Sequence, residues 1–182
     1  MKVLMIVSHP RLETGSIANK IIAAEAGKLD NVEIRDLYRI YPQFEIDVQA
    51  EQEALEAADL IVLQFPLFWF SIPAMLKHWL DKVFTEEFAF GPGAHKLKGK
   101  QLLLSVTVGG PEGAYSRGGH FDATIDDLLQ PMHLMASFTG MTAQDSIVSF
   151  GMMAGAEKAG EPSASEIQAP VHAEQLVALL KA

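Results

Sequence analysis

Five short strand-like runs, separated by segments whose apolar residues recur at helical spacing, constrain this chain more than any other feature. Lys2 to Val7 has the composition of a buried strand, and Ser16 to Leu29 then places Ile17, Ile21, Ile22 and Leu29 on one helical face. Val32 to Leu37 alternates apolar and charged residues, as an edge or half-covered strand should. Asp47 caps an expected helix that runs to Ala58, and Leu60 to Phe65 is a second apolar strand that stops at Pro66. Ile72 to Phe84 has helical spacing throughout, with Pro73 tolerated in the first turn. Gln101 to Val108 is a third apolar strand, Thr124 to Ser137 an expected helix, and Asp145 to Phe150 the last strand. Gly151 to Ala169, rich in Ala, Gly and Ser, reads as a loop, and His172 to Lys181 as a closing helix.

Parallel neighbours need crossover connections, which are usually helical, so five strands alternating with helices predict a parallel sheet covered on both faces. The expected architecture is a three-layer α/β sandwich with strand order 2-1-3-4-5, binding ligands beyond the carboxyl ends of the strands where the order reverses. With 182 residues, 49% of them hydrophobic, the chain suits one domain spanning residues 1–182.

Composition removes several functions. A formal charge of -9, with fourteen scattered basic residues, argues against a nucleic-acid surface, whose affinity rests on clustered Lys and Arg. The absence of cysteine excludes disulfides, thiolate catalysis and zinc-thiolate sites. The first ten residues read as a strand rather than a leader, and no apolar stretch approaches the roughly 20 residues of a membrane helix. The expectation is a soluble, cytoplasmic protein that does not span a membrane.

Three loops follow the strand ends. The first, Ser8 to Ser16, lacks both the glycine fingerprint of a dinucleotide site and the Gly-Lys-Ser/Thr of a P-loop. It offers Thr14, Ser16 and Asn19 near the amides of a helix N-terminus, an arrangement able to hold a phosphate, although Ser16 also reads as a plain N-cap and His9 as a turn residue. The second packs Phe65, Phe68, Trp69 and Phe70 into six positions. Trp79 and Phe84 belong to the core, but three consecutive aromatics cannot all face inward from one loop, so some of Phe68, Trp69 and Phe70 should form an apolar wall for a planar ligand. The third, Thr107 to His120, carries five glycines between Gly109 and His120, suited to close backbone approach, and ends with Tyr115 and His120, which can donate hydrogen bonds and carry protons or be incidental polar residues of a flexible loop.

On these residues the chain resembles the flavodoxin-like NAD(P)H quinone oxidoreductases related to DT-diaphorase, and within them the small bacterial ancillary oxidoreductases of glutathione-regulated potassium efflux systems. The most specific part is Pro66-Leu67-Phe68-Trp69-Phe70-Ser71-Ile72-Pro73 running into Leu76-Lys77-His78-Trp79-Leu80-Asp81-Lys82-Val83-Phe84, followed by Phe88-Ala89-Phe90-Gly91 and Leu97-Lys98-Gly99-Lys100. The resemblance implies that His9, Ser16, Ala18 and Asn19 surround a flavin phosphate. It also implies that the backbone of Pro66, Leu67, Phe68, Trp69 and Phe70 faces the isoalloxazine, and that Thr107, Val108, Gly109 and Gly110 approach its polar edge. Tyr115, itself expected at the cofactor, and His120 are implied in hydride and proton transfer. The implied reaction is ping-pong, two-electron reduction of a quinone-like acceptor by NADPH or NADH. The implied assembly is a homodimer, with a potassium efflux transporter as a further partner that would hold the protein at the inner membrane. FMN is favoured over FAD, the alternative, on length alone, because the chain has little to spare for the adenosine half. Two departures stand out: Val108 replaces the second of two threonines common in the family, and Tyr115 lies one residue closer to His120 than in the larger diaphorases.

Other readings fit less well. An electron-transfer flavodoxin needs neither the aromatic wall nor the Tyr115 to His120 loop, and a receiver domain needs acidic residues where this chain has Ser8-His9-Pro10. The six histidines are dispersed, which disfavours a metal hydrolase. The runner-up is a regulatory subunit of the efflux transporter, with reductase activity secondary.

Overall fold

The computed structural model describes residues 1–153 and 162–181. Its sheet contains β1 (Val3–Val7), β2 (Val32–Asp36), β3 (Leu60–Pro66), β4 (Gln101–Thr107), β5 (Thr142–Ala143) and β6 (Ile147–Ser149). All pairings are parallel, in the order β2-β1-β3-β4-β5, with β6 also paired to β4. The fold is flavodoxin-like, as expected.

Alternation within the strands explains the layers, because successive side chains leave a strand on opposite faces. Leu4, Ile6, Ile61, Leu63, Phe65, Leu102, Leu104 and Val106 pack with Leu55 of α4 (Val48–Ala57), Trp79 of α5 (Ala74–Val83) and Leu129 of α6 (Ile125–Phe138). Val3, Met5, Val7, Val62 and Leu103 face the other way, against Ile22 of α2 (Ile17–Ala26) and Leu176 of α7 (Ala164–Leu180). Each large aliphatic side chain so buried stabilises the fold by about 1.5–3 kcal/mol. The short helices α1 (Leu12–Gly15) and α3 (Leu37–Ile40) also form, and periodicity gives no sign of either.

Two expectations are corrected. The last strand, expected over Asp145 to Phe150, is split: β5 pairs Gln101 with Thr142, and β6 pairs Ser105 with Ile147. One extra residue between them makes a bulge, which sets the face to which Ile147 and Ser149 point, since side chains alternate with a period of two. The loop expected over Gly151 to Ala169 ends early, because α7 begins at Ala164 with a capping box between Ser163 and Glu166. The stretch 154–161 of that loop lies outside the described residues.

The strand order positions the site. The chain leaves β1 toward α2 on one face and leaves β3 toward α5 on the other, so the loops after β1 and β3 diverge and open a crevice at the carboxyl ends.

Candidate active site

That crevice holds a cavity of about 320 Å³, at the small end of the range for ligand pockets. Of the residues expected there, His9, Ser16, Ala18 and Asn19 line it from the first loop and α2, Pro66, Leu67 and Phe68 from the second loop, and Thr107 and Gly109 from the third. Trp69, Phe70, Val108, Gly110, Tyr115 and His120 do not. Val108 is fully buried in the core and its backbone is held by Ser149 and Met152, so its side chain is part of the packing. Pro10, Arg11, Gly15, Ile17, Met152, Met153 and Ser165 also line the cavity and were not anticipated.

The first loop supplies donors and positive charge. The His9 Nδ1 accepts the Arg11 N–H at 3.1 Å, which leaves the other ring nitrogen to carry the proton. Burial, aided by the Arg11 charge, holds His9 below the ordinary imidazole range, so it is a neutral donor at pH 7. Among the described residues the Arg11 guanidinium makes no ion pair and no carboxylate lines the cavity. In a chain of formal charge -9 this is a local reversal of sign. Ser16 caps α2, as the plainer reading expected, yet it also lines the cavity beside first-turn amides that have no intrahelical acceptor.

Behind the cavity wall runs a buried polar seam. The Asn19 amide nitrogen donates to Ser16 Oγ and to Thr107 Oγ1, each at 3.0 Å, and the Gln64 amide nitrogen donates to Asn19 Oδ1 at 2.7 Å. Ser105 Oγ donates to Gln64 Oε1 at 2.5 Å and lies 2.7 Å from His172 Nε2, whose Nδ1 is 2.8 Å from Ser149 Oγ. Gln64, Ser105 and His172 were not anticipated, and Gln64 is the one polar residue in a strand first read as apolar.

His172 is 1% exposed, and burial pushes its imidazole down to about 4. The unfolded chain therefore takes up a proton as pH falls through 6.5, while the folded chain resists until about 4. Stability from this group is present above pH 6.5 and is lost toward pH 4, by about 3 kcal/mol in all. Urea midpoints of the wild type and His172→Gln measured from pH 7.5 to 4.5 should converge as pH falls, and parallel curves would count against a neutral buried His172.

The aromatics divide. Phe68 tilts against His9 at 5.9 Å between ring centroids, whereas Phe70 meets Phe121 edge-on at 4.9 Å. Phe121 also contacts Tyr115 at 5.0 Å and His120 at 4.8 Å, so one ring joins the second and third loops. Trp69 is 93% exposed. It is the most open of the three and does not meet the cavity. Trp69 and Phe70 have φ of 50° and 63° between the paired Phe68 and Ser71, the pattern of a tight hairpin turn. Among the described residues no group of side chains could hold a metal ion, and no helix is long and apolar enough to cross a membrane.

A family model described as a flavodoxin-like fold matches residues 1–172. The uncharacterized NAD(P)H oxidoreductase YrkL of Bacillus subtilis is 41% identical over 153 residues, 84% of this chain and 87% of that protein. The glutathione-regulated potassium-efflux system ancillary protein KefF of Salmonella newport is 48% identical over 139 residues, 76% of this chain and 77% of its own length. Among solved structures, general stress protein 14 of Treponema denticola in complex with FMN superposes with a TM-score of 0.88 at 30% identity, covering 100% of this chain and 98% of that one. An NADPH-quinone reductase from P. pentosaceus does so with a TM-score of 0.80 at 29% identity, covering 96% and 97%.

Proposed function

We propose, from the premise that the chain belongs to the flavodoxin-like fold family matched over residues 1–172, that it is an FMN-dependent NAD(P)H:quinone oxidoreductase. The observation that carries the reading is the cavity at the reversal of strand order, whose donors and Arg11 guanidinium suit a phosphate and whose Phe68 edge suits a planar ring. The relatives named above as an NAD(P)H oxidoreductase and an NADPH-quinone reductase, and the one bound to FMN, support it.

The residues fit the flavin in distinct ways. Ser16, the first-turn amides of α2, His9 and Arg11 would hold the phosphate through hydrogen bonds and charge. Gly109 presents backbone without a side chain, and Phe68 adds an aromatic ring to the lining. When bound, the flavin would accept a hydride from NAD(P)H and pass a hydride on to a quinone, which with one further proton becomes a quinol. Tyr115 is raised by burial, so it keeps its proton at neutral pH and can donate to developing charge on the acceptor. His120, exposed against Phe121, would exchange that proton with solvent. Acceptor and nicotinamide would occupy the same open side in turn, the ping-pong order. The exposed aromatics beside it, Trp69 and Phe70, favour a homodimer that covers them.

The 48% identity to an ancillary protein supports a second role beside the first, association with a potassium efflux transporter. Purified protein should be yellow, or take up added FMN, and its spectrum should bleach on anaerobic addition of NADPH or NADH. A protein that neither binds flavin nor oxidises NAD(P)H defeats the enzymatic reading. Failure to co-purify with a co-expressed transporter of that class, with or without nicotinamide cofactor, defeats the second.

A further inference from the structure

We propose that His172, Ser105, Gln64 and Asn19 are positioning residues that share one hydrogen-bond polarity, which in one of its two directions turns the Ser16 and Thr107 hydroxyls into donors toward the cavity, suiting an anionic, phosphate-type group there. This rests on the flavin reading of the cavity, and deepens it by naming what makes the cavity prefer an anion.

The polarity follows from counting donors and acceptors. Ser16 Oγ accepts both the Asn19 backbone N–H at 3.1 Å and the Asn19 amide at 3.0 Å, which uses both of its lone pairs. Thr107 Oγ1 accepts from the other hydrogen of the same amide. Neither hydroxyl hydrogen has an acceptor among the described residues, and both residues line the cavity. Asn19 can offer its amide nitrogen to them only because its oxygen faces the Gln64 amide nitrogen, and Gln64 holds that orientation because its own oxygen receives the Ser105 hydrogen. Ser105 has one hydrogen, so the contact to His172 Nε2 must run the other way, with Nε2–H donating and Nδ1 accepting from Ser149.

A second arrangement satisfies the same heavy atoms. Turning both amides over and moving the Ser105 hydrogen to face Nε2 reverses every bond between side chains and shifts His172 to its Nδ1–H form. The Ser16 and Thr107 hydrogens would then be spent on Asn19, and the cavity would meet lone pairs, which repel an anion. Because the seam is buried, a broken link within it is costly, so the links favour one direction together. An anion therefore selects the donor-outward state, and the tautomer of His172 reports it from the opposite end of the seam.

The test titrates wild type, Ser105→Ala, His172→Phe and His172→Gln with FMN and riboflavin, and reads the His172 ring nitrogens of wild type by ¹⁵N NMR. Wild type should prefer FMN to riboflavin, and Ser105→Ala and His172→Phe should each cut that preference about tenfold with riboflavin affinity unchanged. His172→Gln, which keeps an N–H for Ser105, should recover most of it, and FMN-bound wild type should show Nε2–H. Unchanged preference in both Ser105→Ala and His172→Phe overturns the proposal and leaves the flavin reading intact, as does an Nδ1–H tautomer with FMN bound, or equal wild-type affinity for the two flavins. Binding of neither flavin removes the flavin reading; inorganic phosphate must then still bring His172 to Nε2–H, and its failure to do so overturns the positioning role as well.

Discussion

Glu51→Ala is expected to lower the unfolding free energy by about 3–5 kcal/mol, the usual consequence of removing one partner from a buried charged cluster. Glu51 is fully buried on α4. Its Oε1 accepts from Arg35 Nε at 2.8 Å, Arg35 Nη2 at 2.6 Å and the Tyr41 hydroxyl at 2.5 Å, and its Oε2 from Trp79 Nε1 at 2.8 Å. One carboxylate thus ties the edge strand β2, the chain after α3 and helix α5 to α4. Burial alone would push Arg35 down, but the hydrogen bonds and charge of Glu51 overcome it and hold the guanidinium above its usual range. Burial, with the bond to Glu51, raises the Tyr41 phenol to about 12. Alanine would strand all four donors. Urea unfolding should show the loss, with Glu51→Gln destabilised less because it preserves shape and some acceptor capacity. A change below about 1 kcal/mol for alanine, the scale of a surface ion pair, would mean that water replaces the carboxylate at little cost.

Tyr115→Phe is expected to slow quinone reduction about a hundredfold, within the usual range for loss of a proton-donating side chain. The Tyr115 ring lies over Gly110, where a Cβ would come within 3.1 Å of it, and packs against Phe121 and Phe150. Phenylalanine retains those contacts and removes only the hydroxyl, so flavin content and thermal stability should hold. His120→Ala should cost less, about tenfold, since an exposed imidazole can be replaced in part by solvent. Anaerobic stopped-flow would separate the two half-reactions. Rates within twofold of wild type for both variants would remove Tyr115 and His120 from the chemistry.

The central strands are legible because burial on both faces leaves them almost wholly apolar, and Asp47 is legible as a cap because its carboxylate does accept the Ala50 N–H. The split last strand is not, since a two-residue strand and a bulge carry no period. The start of α7 was within reach: Ser163-Ala164-Ser165-Glu166 has the spacing of a capping box, masked by a stretch of small residues. At the site, the first loop could be read because its residues lie close in sequence, and Arg11 stands among them. Met152, Met153, Ser165 and Phe121 reach their places only through tertiary packing. Gln64 carried a usable signal, a lone amide inside an apolar strand, because a buried polar group requires partners.

The turn at Trp69 and Phe70 places two bulky side chains in a backbone region that ordinarily takes Asn-Gly, at a cost of about 1–2 kcal/mol for each residue. A lineage selected for heat tolerance alone would therefore be drawn to small residues at these two positions. For Phe70 the contact with Phe121 offsets part of that cost within the monomer, whereas the aromatic identity of Trp69, 93% exposed, is a running debt against stability, sustained only while something outside the folded monomer rewards it.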